Sequence, residues 1–284
     1  MGFSFSNLKK TMAASTFSIN PGKSPLSQRS SRRAACTDQQ DEQGGARTAH
    51  RYFGFEEPQM PRYVSRMTYP KAIIFDLDGT LIHSAPDLHA AANATLTSLG
   101  REALDLPTII SFIGNGVEKL VERSLDATGG YDAAQRQTAL GLFMDSYNQD
   151  MTTLTRPYPG VMAALAAFQD AGVPLGICTN KPTGPAREIC ERLDLTPFFQ
   201  VIAGAEDGQA KKPDPAPLLA CIDDLRAKPS ETLYVGDSTI DYFTARNADV
   251  PFRLYTNGYL NAPLPDLPEA SRFDDWTAHG IPTG

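Results

Sequence analysis

The 284-residue sequence predicts an α/β protein with a doubly wound parallel sheet and a four-helix segment inserted after the first strand. The first observation is a short apolar run, residues 72–75, typical of a strand buried on both faces in a helix-covered parallel sheet. The second is an alternation of helix and strand patterns between residues 160 and 255. The third is that polar motifs follow these strands, at the sheet edge where open α/β sheets bind ligands.

The remaining elements follow in chain order from apolar spacing and from glycine breaks. The inserted segment contains predicted helices at 87–99, 106–113, 117–125 and 131–150. Beyond it, helices are predicted at 160–171, 184–193, 214–224 and 239–247, and strands at 173–178, 200–203, 232–235 and 252–255. We therefore predict a core formed by residues 67–82 and 155–284, and a helical cap formed by residues 83–154.

Two carboxylates one residue apart, Asp76 and Asp78, close the first strand. This spacing suits acid/base and nucleophilic chemistry on a metal-bound oxyanion. Gly79 permits a sharp turn immediately afterwards, and Thr80 adds a hydroxyl. An ordinary Asp-Gly turn with solvated acids would explain a good share of such pairs, so the other strands must decide between the two interpretations.

Three further motifs follow later strands in a fixed order. They are Thr179-Asn180-Lys181, Lys211-Lys212-Pro213-Asp214 and Gly236-Asp237 with Asp241 four residues on. Together with the first motif they resemble the haloacid dehalogenase-like superfamily of phosphohydrolases. Within it the chain is most similar to the bacterial phosphoglycolate phosphatases, from about residue 67 to about residue 259. The resemblance implies that the chain hydrolyses a small phosphate ester, 2-phosphoglycolate first among the candidates.

The resemblance also implies roles for three acids. Asp76 is the nucleophile and forms an aspartyl-phosphate, and Asp78 is the general acid and base. Asp76, the backbone carbonyl of Asp78, and Asp237 bind the metal. A set of oxygen ligands with few carboxylates suits Mg²⁺, whereas Zn²⁺ is disfavoured because no Cys/His cluster has ligand spacing.

Phosphate-binding groups follow from the same resemblance. Thr179 and Asn180 hold phosphoryl oxygens through a hydroxyl and a backbone N–H, although a Thr-Asn pair can also simply cap a turn. Lys212 neutralises charge on the transferred group and is preferred to Lys211, because it is the lysine that precedes the proline.

Positions near the site allow two interpretations each. Asp241 orients Lys212 or a metal-bound water, or is only a first-turn acid favoured by the helix dipole. Gly114, Asn115 and Gly116 form a substrate loop or an ordinary turn between helices. His83 stands where similar proteins carry an acid, and we interpret it as a solvated loop histidine.

Other functions share part of this pattern. A dehalogenase needs neither an acid at position 78 nor a metal, so Asp78 and Asp237 argue against it. Another small-molecule or sugar phosphatase, and a phosphomutase, would share every core motif and stay open. A non-catalytic binding protein is the weakest alternative, because such proteins lose an acid or the lysine and here all are present.

Composition limits the partners. Residues 1–66 carry 10 Lys/Arg and 5 Asp/Glu, which leaves 16 basic and 28 acidic residues in the rest. The acidic body argues against nucleic acid, which requires clustered Lys/Arg. No apolar run reaches the roughly 18 residues expected of a membrane-spanning helix. A small phosphate ester is the expected partner, and the protein is expected to be a monomer or homodimer.

The N-terminal 66 residues contain no motif. Residues 1–36 have six Lys/Arg, eight Ser and no acid, a composition typical of disordered sequence or of a transit peptide. We interpret residues 1–66 as a dispensable extension and the protein as cytoplasmic, with an organellar location as the alternative. The four cysteines show no disulfide-like spacing, and we expect buried free thiols in a reducing compartment.

Overall fold

A computed structural model of the chain describes residues 69–283, so the predicted extension at 1–66 and Cys36 lie outside the described residues. Its core is a six-stranded sheet in the order β5-β4-β1-β6-β7-β8, in which every neighbouring pair is parallel. The strands are β1 (Ala72–Phe75), β2 (Ile82–His83), β3 (Arg156–Pro157), β4 (Leu175–Pro182), β5 (Val201–Ala205), β6 (Thr232–Gly236), β7 (Phe252–Tyr255) and β8 (Arg272–Phe273).

Helices connect the strands of this sheet and also form the inserted segment. The helices are α1 (Ala85–Ser98), α2 (Leu106–Phe112), α3 (Val117–Ala127), α4 (Ala133–Gln149), α5 (Val161–Asp170), α6 (Thr183–Arg192), α7 (Ala216–Asp224) and α8 (Thr239–Asn247). Among the residues from 69 to 283, no helix is both long and apolar enough to cross a membrane.

Strand β1 lies in the middle of the sheet because its four residues are apolar on both faces. All of them are fully buried, and the strand pairs with β4 on one side and β6 on the other. The residues that follow β1, β4 and β6 consequently meet at one edge of the sheet. This topology confirms the predicted fold class.

The helices α1 to α4 are inserted between two short strands that pair with each other. Strand β2 forms an antiparallel pair with β3, so the chain leaves and re-enters the core side by side. The buried carboxylate of Asp87 strengthens this junction by accepting hydrogen bonds from the backbone N–H groups of Leu154 (3.0 Å) and Thr155 (2.8 Å). One hydrophobic cluster contains both Phe75 of the sheet and Phe143 of α4, so the inserted helices share the core's packing.

Two expectations differ from the structure. Strand β4 begins two residues later than predicted and continues to Pro182, so that Thr179 and Asn180 lie inside the strand and not beyond its end. His83 is not a solvated loop residue: it lies in β2, half-buried, with Nδ1 2.9 Å from the Tyr259 hydroxyl. Tyr259 is 176 residues away in the chain, which explains why local sequence did not reveal the contact.

Candidate active site

The site begins at the carboxyl end of β1, which fixes Asp76 between the neighbouring strands. The Asp76 backbone N–H donates to the carbonyl of Val235 at the end of β6 (2.9 Å). Gly79 then turns the chain with φ +89°, and a Cβ at this position would lie 2.3 Å from Asp237 Oδ2. The glycine is therefore required both for the backbone conformation and for the close approach of Asp237.

Lys212 lies at the centre of a buried polar network. Its Nζ is 2.9 Å from Asp76 Oδ1, 2.7 Å from Asp241 Oδ1 and 2.8 Å from the Tyr234 hydroxyl. The residue is only 4% exposed, yet two carboxylates hold its ammonium, and their charges raise the pKa of Lys212 against the effect of burial. Lys212 is thus a fixed cation beside Asp76.

Asp241 is a scaffold for Lys212 and for the start of α8. It forms a reciprocal capping arrangement with Ser238, whose hydroxyl donates to Asp241 Oδ2 (2.6 Å), while Oδ1 accepts from Lys212. Burial opposes the charged form, but the ammonium of Lys212 and these hydrogen bonds outweigh it and lower the pKa of Asp241. Both of its oxygens are therefore already engaged within the protein.

Asp237 is enclosed on the other side of Asp76. Thr80 Oγ1 donates to its Oδ1 (2.6 Å) and the Tyr259 backbone N–H donates to its Oδ2 (2.7 Å). Gly258 leaves room for it, because a Cβ there would lie 2.3 Å from Asp237 Cβ. Burial, together with the charges of Asp241 and Asp76, raises the pKa of Asp237 well above its ordinary value.

The charges of this cluster do not balance. Asp76, Asp237 and Asp241 offer oxygens within 4.8 Å of one another, and among residues 69–283 Lys212 is the cation paired with this group, through Asp76 and Asp241. Burial raises the pKa of Asp76 to about 6 although Lys212 opposes this. Asp76 Oδ1 is buried against the ammonium of Lys212 at 2.9 Å. The surplus of buried negative charge in the cluster fits a bound divalent cation.

Asp78 belongs to a different cluster. Its carboxylate oxygens lie 3.0 and 3.2 Å from Nζ of Lys181, which also donates to the hydroxyl of Tyr147 in α4 (2.7 Å). The carboxylate of Asp78 is not part of the group of Asp76, Asp237 and Asp241 among residues 69–283, and a metal-binding role for its backbone carbonyl stays a prediction. The pair of carboxylates one residue apart is divided between two environments.

Both aspartates face a cleft between the sheet edge and the inserted helices. The sheet side is polar and includes Thr179, Asn180 and Lys181. The helical side is apolar apart from one hydroxyl, that of Tyr147, and its aliphatic and aromatic residues are Leu88, Ile113, Val117, Leu120, Phe143, Met144 and Tyr147. The cleft is the place where a small substrate can reach Asp76 and Asp78.

Two of the predicted phosphate-binding residues, Thr179 and Asn180, line this cleft, whereas Lys212 does not. Thr179 Oγ1 accepts from the backbone N–H of Lys181 (3.3 Å) and is buried next to Asp76 and Asp78 along the cleft. The Asn180 amide donates to the carbonyl oxygens of Gly114 (3.0 Å) and Lys212 (2.9 Å). The side chain of Asn180 thus ties the inserted helices to the segment that carries Lys212.

The predicted substrate loop is split by the structure. Gly114 and Gly116 line the cleft. Asn115 is not among the lining residues, and its Oδ1 instead accepts from Arg123 Nη2 (2.8 Å) within the inserted helices. Arg123 also donates to the carbonyl of Phe112 (2.9 Å), so it fixes the shape of this loop.

Sequence reasoning overlooked Lys181 and Tyr147. A signal for Lys181 existed, because residues two apart on a strand share a face and Thr179 was already assigned to the site. Tyr147 carried no such signal, since its place in the cleft depends on how α4 packs on its neighbours.

Comparison with known proteins identifies relatives of the chain. Residues 73–254 match the sequence profile of the haloacid dehalogenase-like hydrolases. A phosphoglycolate phosphatase of Cereibacter sphaeroides is 46% identical over 202 residues, which is 71% of this chain and 92% of that protein. A phosphoglycolate phosphatase of Rhodospirillum rubrum is 39% identical over 216 residues, 74% of this chain and 90% of that protein.

Solved structures agree with the sequence comparison. The crystal structure of a predicted phosphoglycolate phosphatase from Haemophilus somnus 129pt superposes with a TM-score of 0.69 at 30% identity. The match covers 74% of this chain and 96% of that one. The fold, the order of the motifs and the relatives therefore all lead to the same family.

Proposed function

We propose, from the premise that this chain belongs to the haloacid dehalogenase-like hydrolase family, that it is a phosphatase whose substrate is 2-phosphoglycolate. The observation that carries the proposal is Asp76, a buried carboxylate that is paired with Lys212 at 2.9 Å and faces the same cleft as Asp78. The names of the relatives support the choice of substrate.

The first chemical step uses Asp76 as the nucleophile. Its carboxylate attacks phosphorus, the bond from phosphorus to the ester oxygen breaks, and an aspartyl-phosphate forms. Lys212 holds the carboxylate at 2.9 Å, and its charge offsets the negative charge of the phosphoryl group. Thr179 supplies a hydroxyl for a phosphoryl oxygen.

Asp78 moves the protons. In the first step it gives a proton to the departing ester oxygen, and in the second it accepts one from the water that hydrolyses the aspartyl-phosphate. Its carboxylate is 13% exposed, at the boundary between the sheet and the inserted helices, where a leaving group can reach it. Asp78 therefore begins the cycle as the carboxylic acid and regains its proton from the water, while Asp76 returns to the carboxylate and phosphate and glycolate leave, so that atoms and charges balance.

Asp76, Asp237 and the backbone carbonyl of Asp78 would hold the divalent cation, for which we propose Mg²⁺. When bound, the cation would balance the surplus charge of the carboxylate cluster and of the phosphoryl oxygens. Asp241 would position Lys212, because both of its oxygens are already hydrogen-bonded. The inserted helices act as a cap that limits access of water to the cleft, and the reaction takes place in the cytoplasm.

The test is release of inorganic phosphate, with and without Mg²⁺, from 2-phosphoglycolate, ethyl phosphate, an activated aryl phosphate and a hexose phosphate. We expect Mg²⁺-dependent release with the highest kcat/KM for 2-phosphoglycolate. A higher kcat/KM for the hexose phosphate would overturn the substrate assignment. Isomerisation of the hexose phosphate without phosphate release would indicate a phosphomutase. No release from any of the four esters would overturn the proposed activity.

A further inference from the structure

The cleft has an uneven distribution of charge beyond the place of the phosphoryl group. Lys212 contacts Asp76 from within the core network and is not among the lining residues of the cleft. Of the residues that line the cleft, all within the described part of the chain, Lys181 is the only cation. The helical wall opposite is apolar except for the Tyr147 hydroxyl. A second anionic group on a substrate in the cleft can therefore pair with one positive side chain of the lining, that of Lys181.

Lys181 is a buried, ion-paired lysine and not an exposed surface lysine. It is 6% exposed, lies in β4, and its Nζ is fixed by Asp78 (3.0 Å) and by the Tyr147 hydroxyl (2.7 Å). The same ammonium lies 4.7 Å from the centre of the Tyr147 ring, a distance at which the ring face also stabilises a cation. These contacts raise the pKa of Lys181 against the effect of burial, so it stays charged.

Tyr147 contributes a hydrogen-bond donor that the protein itself does not use. Its hydroxyl oxygen accepts from Lys181, and among residues 69–283 its own O–H donates no hydrogen bond. Tyr147 is 3% exposed and lines the cleft. Burial is the main cause that raises its pKa to about 12, so the proton is retained. A buried O–H without an acceptor is costly unless a ligand supplies one.

We propose that Tyr147 and Lys181 together form a binding site for the carboxylate of the substrate, so that the enzyme selects phosphate esters with a carboxylate next to the ester carbon. The Tyr147 hydroxyl donates to one carboxylate oxygen, and the ammonium of Lys181 supplies the opposite charge. This inference rests on the proposed phosphatase function and adds the residues that select its substrate.

The arrangement matches the covalent structure of 2-phosphoglycolate. The ester oxygen, which takes its proton from Asp78, is joined through a single methylene to the carboxylate. Because Lys181 Nζ is 3.0 Å from the Asp78 carboxylate, a carboxylate that close to the ester oxygen falls beside Lys181 and Tyr147. An ester with a longer or uncharged chain would place apolar atoms there and leave the Tyr147 O–H without an acceptor.

The experiment compares 2-phosphoglycolate with ethyl phosphate, which has the same ester carbon but a methyl group in place of the carboxylate. The readout is the ratio of kcat/KM for the two esters. In Tyr147→Phe and Lys181→Met we expect this ratio to fall by about 10- to 100-fold, since a hydrogen bond to a charged group is lost. Tyr131→Phe and Lys119→Met, in the same helical segment but outside the cleft, should leave the ratio unchanged.

Each other outcome is decisive. If the ratio of kcat/KM is unchanged in Tyr147→Phe and Lys181→Met, the proposal is wrong. Equal slowing of both esters would show that the pair acts through the position of Asp78. If Lys181→Met does not fold, Tyr147→Phe alone decides, because it keeps the ring and removes only the hydroxyl. Absence of phosphate release by the unaltered protein would overturn the proposed function and this inference with it.

Discussion

Lys212 and Lys181 are both buried beside an aspartate that we propose to be catalytic, but the balance of charge around the two lysines differs. Lys212 contacts Asp76 and Asp241, and Asp237 lies in the same carboxylate cluster, so negative charge is in excess. Lys181 contacts one carboxylate, that of Asp78, and a tyrosine whose O–H has no acceptor among residues 69–283. We call these two regions the Lys212 cluster and the Lys181 cluster.

The difference shows what each region is suited to bind. Surplus carboxylates in a buried site favour a cation, whereas a charge-balanced ion pair needs no cation and the unused O–H donor beside it can serve an anionic oxygen. One end of the cleft is thus suited to a metal and a phosphoryl group, and the other to a carboxylate. Asp76 belongs to the first region and Asp78 to the second, although the two residues are only two positions apart in the sequence.

The largest effect is expected from Asp76→Asn, which removes the nucleophile from the Lys212 cluster. Phosphate release should fall by at least about 1,000-fold, equivalent to about 4 kcal/mol of activation free energy. The fold should persist, because asparagine has the same shape and removes one unbalanced buried charge. Retention of activity within about tenfold of the unaltered protein would exclude Asp76 as the nucleophile.

Lys212→Met should cost about 3–5 kcal/mol in the free energy of unfolding, because it leaves buried carboxylates without their cation. Adding Asp241→Asn should restore about 1–3 kcal/mol of this loss. Lys181→Met should destabilise the protein less, since it removes the partner of one carboxylate that is partly exposed. Urea denaturation in the presence of a chelator measures all four proteins, and equal losses in the two lysine variants would erase the distinction between the clusters.

Asp78→Asn tests whether the Lys181 cluster handles the leaving group. Loss of the general acid should slow alkyl phosphates about 100-fold more than an activated aryl phosphate, whose leaving group needs no proton. Asp237→Ala, in the Lys212 cluster, should slow both esters alike and raise the Mg²⁺ concentration for half-maximal rate. If Asp78→Asn slows both esters equally and also shifts the Mg²⁺ requirement, then Asp78 is chiefly a metal ligand.

Binding of Mg²⁺ should stabilise the Lys212 cluster in the absence of substrate. At about 100 times the Kd the gain is about 2.7 kcal/mol, which corresponds to a rise in Tm of roughly 5–10 °C for a domain of this size. Asp237→Ala should lose this rise and Tyr147→Phe should keep it. A Tm of the unaltered protein that does not respond to Mg²⁺ would contradict the assigned metal site.

The smallest effect is expected from removal of residues 1–66, which carry no motif. A chain that begins at Met67 contains both clusters and every strand of the sheet. Its kcat/KM and Tm should equal those of the full chain. A truncated chain that fails to fold would show that the removed segment stabilises the core.

Much of the Lys212 cluster could be predicted from the sequence because its parts follow apolar strands. Asp76 and Asp237 come directly after β1 and β6, whose apolar runs stand out, and parallel strands bring their carboxyl ends together. Asp241 is one helical turn from Asp237, so its proximity was also predictable. The contact between Lys212 and Asp241 (2.7 Å) is the geometry that the orienting role requires, and the role itself stays a prediction.

The Lys181 cluster was harder to predict because it joins the sheet to a helix of the inserted segment. Tyr147 is 34 residues from Lys181, and nothing in the amphipathic pattern of α4 shows which of its buried positions faces the cleft. The same reason explains His83, whose partner Tyr259 comes from a distant loop. The structure brings together the residues that were predicted from strand ends. It also places in the cleft Tyr147, whose position depends on helix packing and which the sequence did not indicate.

The covalent intermediate is the most direct test of the account. The protein is mixed with excess 2-phosphoglycolate and Mg²⁺, quenched with acid during turnover, digested, and analysed by mass spectrometry. We predict one added phosphoryl group on the peptide that contains Asp76, localised to that residue and absent from Asp76→Asn. Phosphate release in the same samples without a phosphorylated Asp76, or with the phosphoryl group on another residue, would contradict the assignment of the nucleophile.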